Sequence, residues 1–227
     1  MTQEHQLKAL KKTIEEQRIA ISQISHEIRN PVTLINGSLN LIEKQHPEVR
    51  DFAFWNDVRR DMTHLLNLLE DVSHYNNSML LHPELLNTSH WLKEVTASLN
   101  FLLPKPFHFS SHIPQDLPEI HADSTKLRQA LHNLIRNGFE SLEGDGTVSL
   151  AASADGRYLS IRISDTGCGI PAEYIDSLFQ PFTTHKPNGT GLGLAITKRI
   201  IEAHHGQLLL ETEPGTGTCF TILLPLT

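Results

Sequence analysis

A branched or long aliphatic residue returns at every seventh position near the start of the chain: Leu7, Ile14, Ile21, Ile28, Ile35 and Ile42. Leu10, Ile24, Val32 and Leu39 fill the three- and four-residue steps between them. An apolar stripe kept for about five heptads demands one long helix with a coiled-coil-like seam. Ordinary globular helices stop sooner. His46-Pro47-Glu48 ends the pattern, and a second stripe follows at Trp55, Val58, Met62, Leu65, Leu69 and Val72. Two such helices joined by a short loop predict an antiparallel hairpin. One hairpin leaves much of its stripe uncovered, so the pattern predicts two copies pairing into a four-helix bundle.

The polar residues take their meaning from this frame. With Ile21 and Ile28 at a positions, His26 falls at f, about 160–200° from the stripe. It therefore points to solvent. Asn30 lies one turn later on the same face, and Glu27 is its neighbour. Pro31 removes the helix bond to the Glu27 carbonyl, which predicts a bend beneath His26. A solvent-facing histidine among 14 is ordinarily a plain surface residue. The proline and the acidic neighbour leave open a second role, a chemically used imidazole.

Composition narrows the function classes. The 227 residues allow one or two domains of ordinary size. Nineteen basic against 26 acidic residues give a net charge of −7, which argues against a nucleic-acid partner held by phosphate contacts. A chain with 39% hydrophobic and 20% charged residues reads as a globular protein. No apolar run approaches the roughly 18 residues of a membrane span, and the first residues have no signal-like apolar core. Cys168 and Cys219 form neither a disulfide framework nor a metal cluster. The expectation is a cytoplasmic protein, or the cytoplasmic part of a larger, membrane-attached one, with no membrane contact from this chain itself.

Beyond His82-Pro83 the heptads give way to mixed helix and strand signals. Thr88 or Ser89 is expected to cap a helix running to about Leu103, ended by Pro104 and Pro106. Phe107 to Ile113 suits a strand. Asp123 is a natural N-cap for a helix burying Leu127, Ala130, Leu131, Leu134 and Ile135. Val148–Ser153 and Leu159–Ser164 alternate as strands around an Asp155-Gly156 turn. Leu208–Glu211 and Cys219–Leu224 read as a closing pair. These elements predict an α/β sandwich, a mixed sheet with helices on one face.

Three features of this half suggest chemistry. Asn133, Asn137 and Glu140 form a polar stripe, either a solvated face or a source of amide oxygens for Mg²⁺. Stacked asparagines weaken a helix, which favours a use for them. Asp165-Thr166-Gly167-Cys168-Gly169 follows a strand; its carboxylate can accept from an exocyclic amine while the glycines admit a planar base. Gly189-Thr190-Gly191-Leu192-Gly193 opens a helix running Leu194 to His204, a natural phosphate cradle, without the spacing of a Rossmann fingerprint. Residues 170–188 between them, with Phe179, Pro181, Phe182 and Lys186, suggest a lid with an aromatic anchor. Cys168 is expected to be a packed thiol, and His204-His205 to complement a helix dipole.

Together these segments resemble the boxes of sensor histidine kinases. Ser25-His26-Glu27-Ile28-Arg29-Asn30-Pro31 resembles the H box, and Asn133-Leu-Ile-Arg-Asn137-Gly-Phe-Glu140 the N box. Asp165–Gly169 is similar to the G1 box, Leu178–Phe182 to the F box and Gly189–Gly193 to the G2 box. Gly215 to Phe220 with Leu223-Leu224-Pro225 resembles the family's last hairpin. All occur in the family's order over almost the whole chain. Gly138 stands where the family usually has alanine, and His185 where threonine is frequent. The short lid and Glu140 resemble the nitrogen-regulator and sporulation-kinase branch.

The resemblance implies a dimerisation and histidine-phosphotransfer hairpin over residues 1–80 and a Bergerat-type ATP-binding domain over 81–227. It implies a homodimer that autophosphorylates His26 from ATP with Mg²⁺ and passes the phosphoryl group to an aspartate of a response-regulator receiver domain. Glu27 would activate the histidine ring, and Asn30 would orient water for dephosphorylating the regulator. Asn137 with Asn133 would hold Mg²⁺, and Asp165 would read adenine. Gly167, Gly169, Lys186, Gly189, Thr190, Gly191, Leu192, Gly193 and Thr218 complete the implied nucleotide set. Arg29 and Arg136 are expected at the surface or near phosphate. Two other functions fit parts of the pattern: a nucleotide-binding module signalling by conformation, and a net phosphatase in which Asn30 counts for more than Glu27. The intact asparagines, glycines and Lys186 speak against the first.

Overall fold

A computed structural model describes residues 3–100, 108–186 and 189–226. The chain divides into two compact units. One is Met1–Asn77 with His185–Thr190, the other Ser78–Thr184 with Gly191–Thr227. No described helix is long and apolar enough to cross a membrane.

The first unit is a helical hairpin. Helix α1 (Gln3–Gln45) runs unbroken through Pro31, and α2 spans Trp55–Asn77. A 3-10 turn, Pro47–Asp51, reverses the chain where Pro47 ends the heptads. The side chains of Leu7, Leu10 and Ile14 lie outside the described residues. The seam between the helices is not the isoleucine stripe. Val32, Leu69 and Ser25 are buried in it, and arginines stitch its length. Arg18 donates to Asn77 Oδ1 (3.3 Å) and Arg29 to the Leu69 carbonyl (3.1 Å). Arg59 donates to Asn36 and Asn40 Oδ1 (2.9 and 2.8 Å). The isoleucines face outward: Ile28 is 44% exposed, Ile35 51% and Ile24 55%.

The second unit has its own core. Its five-stranded sheet has the order β2 (His108–His112), β4 (Thr147–Ala154), β5 (Tyr158–Asp165), β7 (Gly217–Pro225), β6 (Gln207–Glu213). Only the β2–β4 pairing is parallel. The β4–β5 hairpin turns at Gly156, whose φ of +85° suits glycine. Asp155 Oδ1 accepts the N–H groups of Arg157 and Tyr158 there. A two-stranded sheet, β1 (Glu84–Leu86) with β3 (Ile120–Ala122), adds to the expected strands. Each strand has three residues, too few for alternation to show.

Helix α3 is Thr88–Asn100. Its cap is Asn87, whose Oδ1 accepts the His90 N–H at 3.0 Å, one residue earlier than expected. Thr88 and Ser89 are buried and used otherwise: Thr88 Oγ1 donates to the Pro118 carbonyl and Ser89 Oγ accepts from Leu117. The expected continuation of α3 to Leu103, its stop at Pro104 and Pro106, and Phe107 lie outside the described residues.

Helix α4 (Ser124–Glu140) starts as expected, with Asp123 Oδ1 accepting the Lys126 N–H. A short helix α5 (Ala172–Ile175) precedes α6 (Gly193–Ala203). Val148, Leu150, Leu159, Ile161, Ile163, Ile222 and Leu224 alternate onto one sheet face and are buried. They are joined in the core by Leu127, Leu131, Leu134 and Ile135 of α4 and Ile196, Ile200 and Ile201 of α6. Each such burial contributes about 1.5–3 kcal/mol relative to exposure, so helices and sheet hold each other. The other face is polar, with Arg162 paired to Glu211 at 2.9 Å.

Candidate functional site

In the hairpin, the seam sets the roll of α1. Ser25 is buried and donates to the Ile21 carbonyl at 2.8 Å, and Arg29 is held at Leu69. At about 100° per residue, His26 and Asn30 then sit roughly 100° and 140° round from Ser25, Glu27 about 200°, and the isoleucines about 260–320°. His26, Glu27 and Asn30 are all exposed. Among the described residues, nothing hydrogen-bonds to the His26 ring. The histidine is presented to solvent from a rigid helix, with a carboxylate beside it.

In the second unit, Asp165 ends β5. Its Oδ1 accepts three donors: Gly167 N–H (2.9 Å), Ser141 Oγ (3.0 Å) and Thr218 N–H (3.2 Å). Oδ2 receives none of these and keeps its accepting capacity. The surrounding glycines are required by close approach. A Cβ on Gly167 would lie 2.0 Å from Ser141 Oγ, and one on Gly169 2.2 Å from the Glu213 carbonyl oxygen. Thr218 is buried, its Oγ1 3.2 Å from Thr212 Oγ1. Ser141 and Thr212, which caps the Ile170 N–H, escaped the sequence reasoning. No periodicity marks a hydroxyl that works across the fold.

Asn133 and Asn137 lie half-buried on α4. Asn133 Nδ2 donates to the Gly193 carbonyl (3.1 Å), which fastens α4 to the start of α6 and leaves Oδ1 as its acceptor. Arg136 is exposed, 3.4 Å from Asn133 Oδ1 and 3.7 Å from Glu140, as expected of a surface residue. Gly138 packs closely: a Cβ there would stand 3.2 Å from Val148 Cγ2 and 3.3 Å from Asp165 Cβ.

The second glycine segment is shared between the units. Gly189 and Thr190 belong with the hairpin, where Thr190 Oγ1 donates to Asp71 Oδ2. Lys186 is exposed, and its carbonyl accepts the Gly189 N–H. Gly191, Leu192 and Gly193 belong to the second unit. Gly191 has φ +69° and packs on the Phe182–Thr183 backbone, where a Cβ would come within 2.6 Å of the Phe182 carbonyl carbon. Leu192 is buried and precedes α6, whose first N–H groups lack helical partners. Of the segment's aromatics, Phe179 lies under Lys198 (5.2 Å), whereas Phe182 is exposed with φ +62°.

Residues 16–78 match the His Kinase A (phospho-acceptor) domain, and residues 122–227 match the histidine kinase-, DNA gyrase B- and HSP90-like ATPase. The chain belongs to the histidine kinase family. It is similar to sporulation kinase C of Bacillus subtilis, 30% identical over 93% of this chain and 51% of that kinase. The chain thus spans about half the length of that relative. The full-length structure of ShkA in complex with AMPPNP superposes with a TM-score of 0.75 at 30% identity, covering 91% of this chain and 45% of that one. Histidine kinase ThkA, in a complex with response regulator protein TrrA, shares the fold at 24% identity and a TM-score of 0.68, over 97% of this chain and 66% of that one.

Two smaller expectations for the chain are corrected. Cys168 is exposed, not packed; what the fold holds here is the backbone, whose N–H donates to the Ser141 carbonyl and whose carbonyl accepts from Gly215. His204 is no dipole-complementing cation. Its Nδ1 meets the Ile200 carbonyl (2.8 Å) and its Nε2 accepts the Asp123 N–H (3.0 Å), an arrangement for a neutral ring. Burial pushes its pKa below the ordinary value, although the Ile200 carbonyl and Asp123 favour its proton and His205 opposes it. Burial and then Arg128 lower His132 likewise, and its buried Nε2 has no partner. Burial pushes Asp123 upward, but N–H bonds from His82 and Lys126 outweigh it and hold the carboxyl below its usual range.

Proposed function

We propose that this chain is the core of an ATP-dependent protein-histidine kinase. Residues 1–80 form the dimerising phosphotransfer hairpin, residues 81–227 the ATP-binding domain, and two chains pair through the outward isoleucines into a four-helix bundle. The observation that carries this reading is one chain holding both an exposed H-box histidine, rolled outward by Ser25 and Arg29, and a carboxylate fixed by three donors beside obligatory glycines.

Asp165 Oδ2 accepts from the adenine amine, while Gly167 and Gly169 let the ring reach the backbone. The backbone around Gly189, Thr190, Gly191, Leu192 and Gly193 cradles the phosphates at the start of α6, and Lys186 reaches the γ-phosphate. Asn137 and Asn133 suit Mg²⁺ by donor chemistry, since amide oxygens are hard ligands and the Gly193 bond leaves Asn133 Oδ1 as its acceptor. Bound there, Mg²⁺ would supply charge neutralisation at the phosphates. A ring nitrogen of His26 attacks the γ-phosphorus as the bond to the bridging oxygen of ADP breaks, and Glu27 takes up the ring proton. The protein's share is positioning and charge stabilisation. His26 then gives the phosphoryl group to an aspartate of a response-regulator receiver domain, and Asn30 orients the water that later removes it. The surroundings are cytoplasmic, where ATP and regulator meet.

The test is incubation with γ-labelled ATP and Mg²⁺. An acid-labile, alkali-stable label on the chain, absent from His26→Gln, is the expected result. The same label on His26→Gln would contradict the reading. ATP binding without any label would point to a module that signals by conformation.

A further inference from the structure

Ser141 closes α4 and engages the Asp165 loop with both its hydroxyl and its backbone. Its Oγ lies 3.0 Å from Asp165 Oδ1 and 2.7 Å from the Gly138 carbonyl. Its carbonyl accepts the Cys168 N–H at 3.1 Å. It also occupies the space that a Cβ at Gly167 would need. The hydroxyl has one proton for two acceptors. The carboxylate is the stronger acceptor, because a hydrogen bond to a charged oxygen is worth roughly twice a neutral one. Donation to Gly138 alone would turn an oxygen lone pair towards Oδ1. The other two donors to that oxygen are backbone N–H groups, of Gly167 and Thr218. Ser141 is therefore the single side chain among the three, and it alone ties the carboxylate to α4.

We propose that Ser141 is a positioning residue for adenine selection: its hydroxyl fixes the Asp165 carboxylate so that Oδ2 faces the exocyclic amine of a 6-aminopurine nucleotide. The inference rests on the assignment of Asp165 as the adenine-reading group. A carboxylate held on one oxygen by two backbone donors retains a swing about its last torsion. The third donor, arriving from a different element, removes that swing. The expected consequence is loss of discrimination, with the phosphoryl-transfer machinery unchanged.

The experiment is calorimetric titration of the full chain, in MgCl₂, with ATP and with purine riboside triphosphate, which lacks the 6-amino group. Ser141→Ala is expected to weaken ATP binding about tenfold, the scale of one charge-assisted hydrogen bond, and to leave the analogue's affinity nearly unchanged. The labelling rate at saturating ATP should stay within about twofold of wild type. Ser141→Thr, which keeps the hydroxyl, should restore ATP preference, whereas Ser141→Cys, a weak donor, should behave as the alanine variant. An unchanged preference for ATP in Ser141→Ala overturns the proposal while the Asp165 assignment stands. Equal weakening of both nucleotides overturns it in favour of a structural role. A wild-type chain that binds both nucleotides equally overturns the Asp165 assignment, and the proposal with it.

Discussion

The two units use aliphatic residues in opposite ways. In the α/β unit, apolar positions read from the sequence turn inward, and Leu134, Ile196 and Ile161 are almost wholly buried. In the hairpin, the most regular apolar pattern of the chain faces outward, and the helices meet along a seam of Ser25, Arg29, Val32 and Asn36. An apolar stripe thus reports a helix face, not that the face is buried within its own chain. Whether it is buried there depends on what else lines the helix. Arginines that reach backbone carbonyls and asparagines can hold a seam without an apolar periodicity.

The largest expected effect probes the core that closes on itself. Leu134→Ala should cost the α/β unit about 2–5 kcal/mol, the range for a buried leucine with little room to collapse, read as a lowered thermal transition. A cost below about 1 kcal/mol would mean that this unit is not self-supporting. Next comes the stripe that does not close on itself. Ile28→Glu and Ile35→Glu should leave that thermal transition in place and convert a dimer into monomers by light scattering at micromolar concentration. A wild-type chain that is already monomeric, or a dimer that survives both changes, would break the comparison at the hairpin.

The smallest effect is the pH dependence of the α/β unit. His204 and His132 have pKa values lowered from 6.5 by burial, so the unfolded chain binds protons that the folded one refuses. Their contribution is complete above about pH 6.5 and is lost as the pH falls through the lowered folded values. Asp123, held below its ordinary 3.8, adds a further loss only in stronger acid. Denaturant midpoints measured from pH 7.5 to 5 should fall with acid, and His132→Leu should flatten that fall, because its buried Nε2 has no partner to lose. Identical slopes in the two proteins would remove His132 from the account.

Much of the fold was legible because periodicity records burial. Heptads marked α1 and α2, three- and four-residue steps marked α4, and alternation marked β4, β5 and β7. What escaped had no period to record. The β1 and β3 strands are three residues each, and Asn87 took the capping role because Thr88 and Ser89 were drawn into bonds with Pro118 and Leu117. The candidate site was legible as residue types in order: His26, Glu27 and Asn30 on one exposed face, and Asp165 among glycines. Ser141 was not, since its meeting with Asp165 spans 24 positions and exists only once α4 packs on the sheet. The neutral role of His204 was hidden for the same reason, as its acceptor nitrogen is defined by an N–H 81 residues away.

The proposed division of labour puts the phosphoryl acceptor, His26, on the hairpin and adenine recognition, through Asp165, in the α/β unit. It is tested most directly by titrating ATP into His26→Gln and wild type side by side while measuring incorporated label. The account predicts equal ATP affinity and no label on the variant. A label that persists, or nucleotide binding lost together with the histidine, would contradict it.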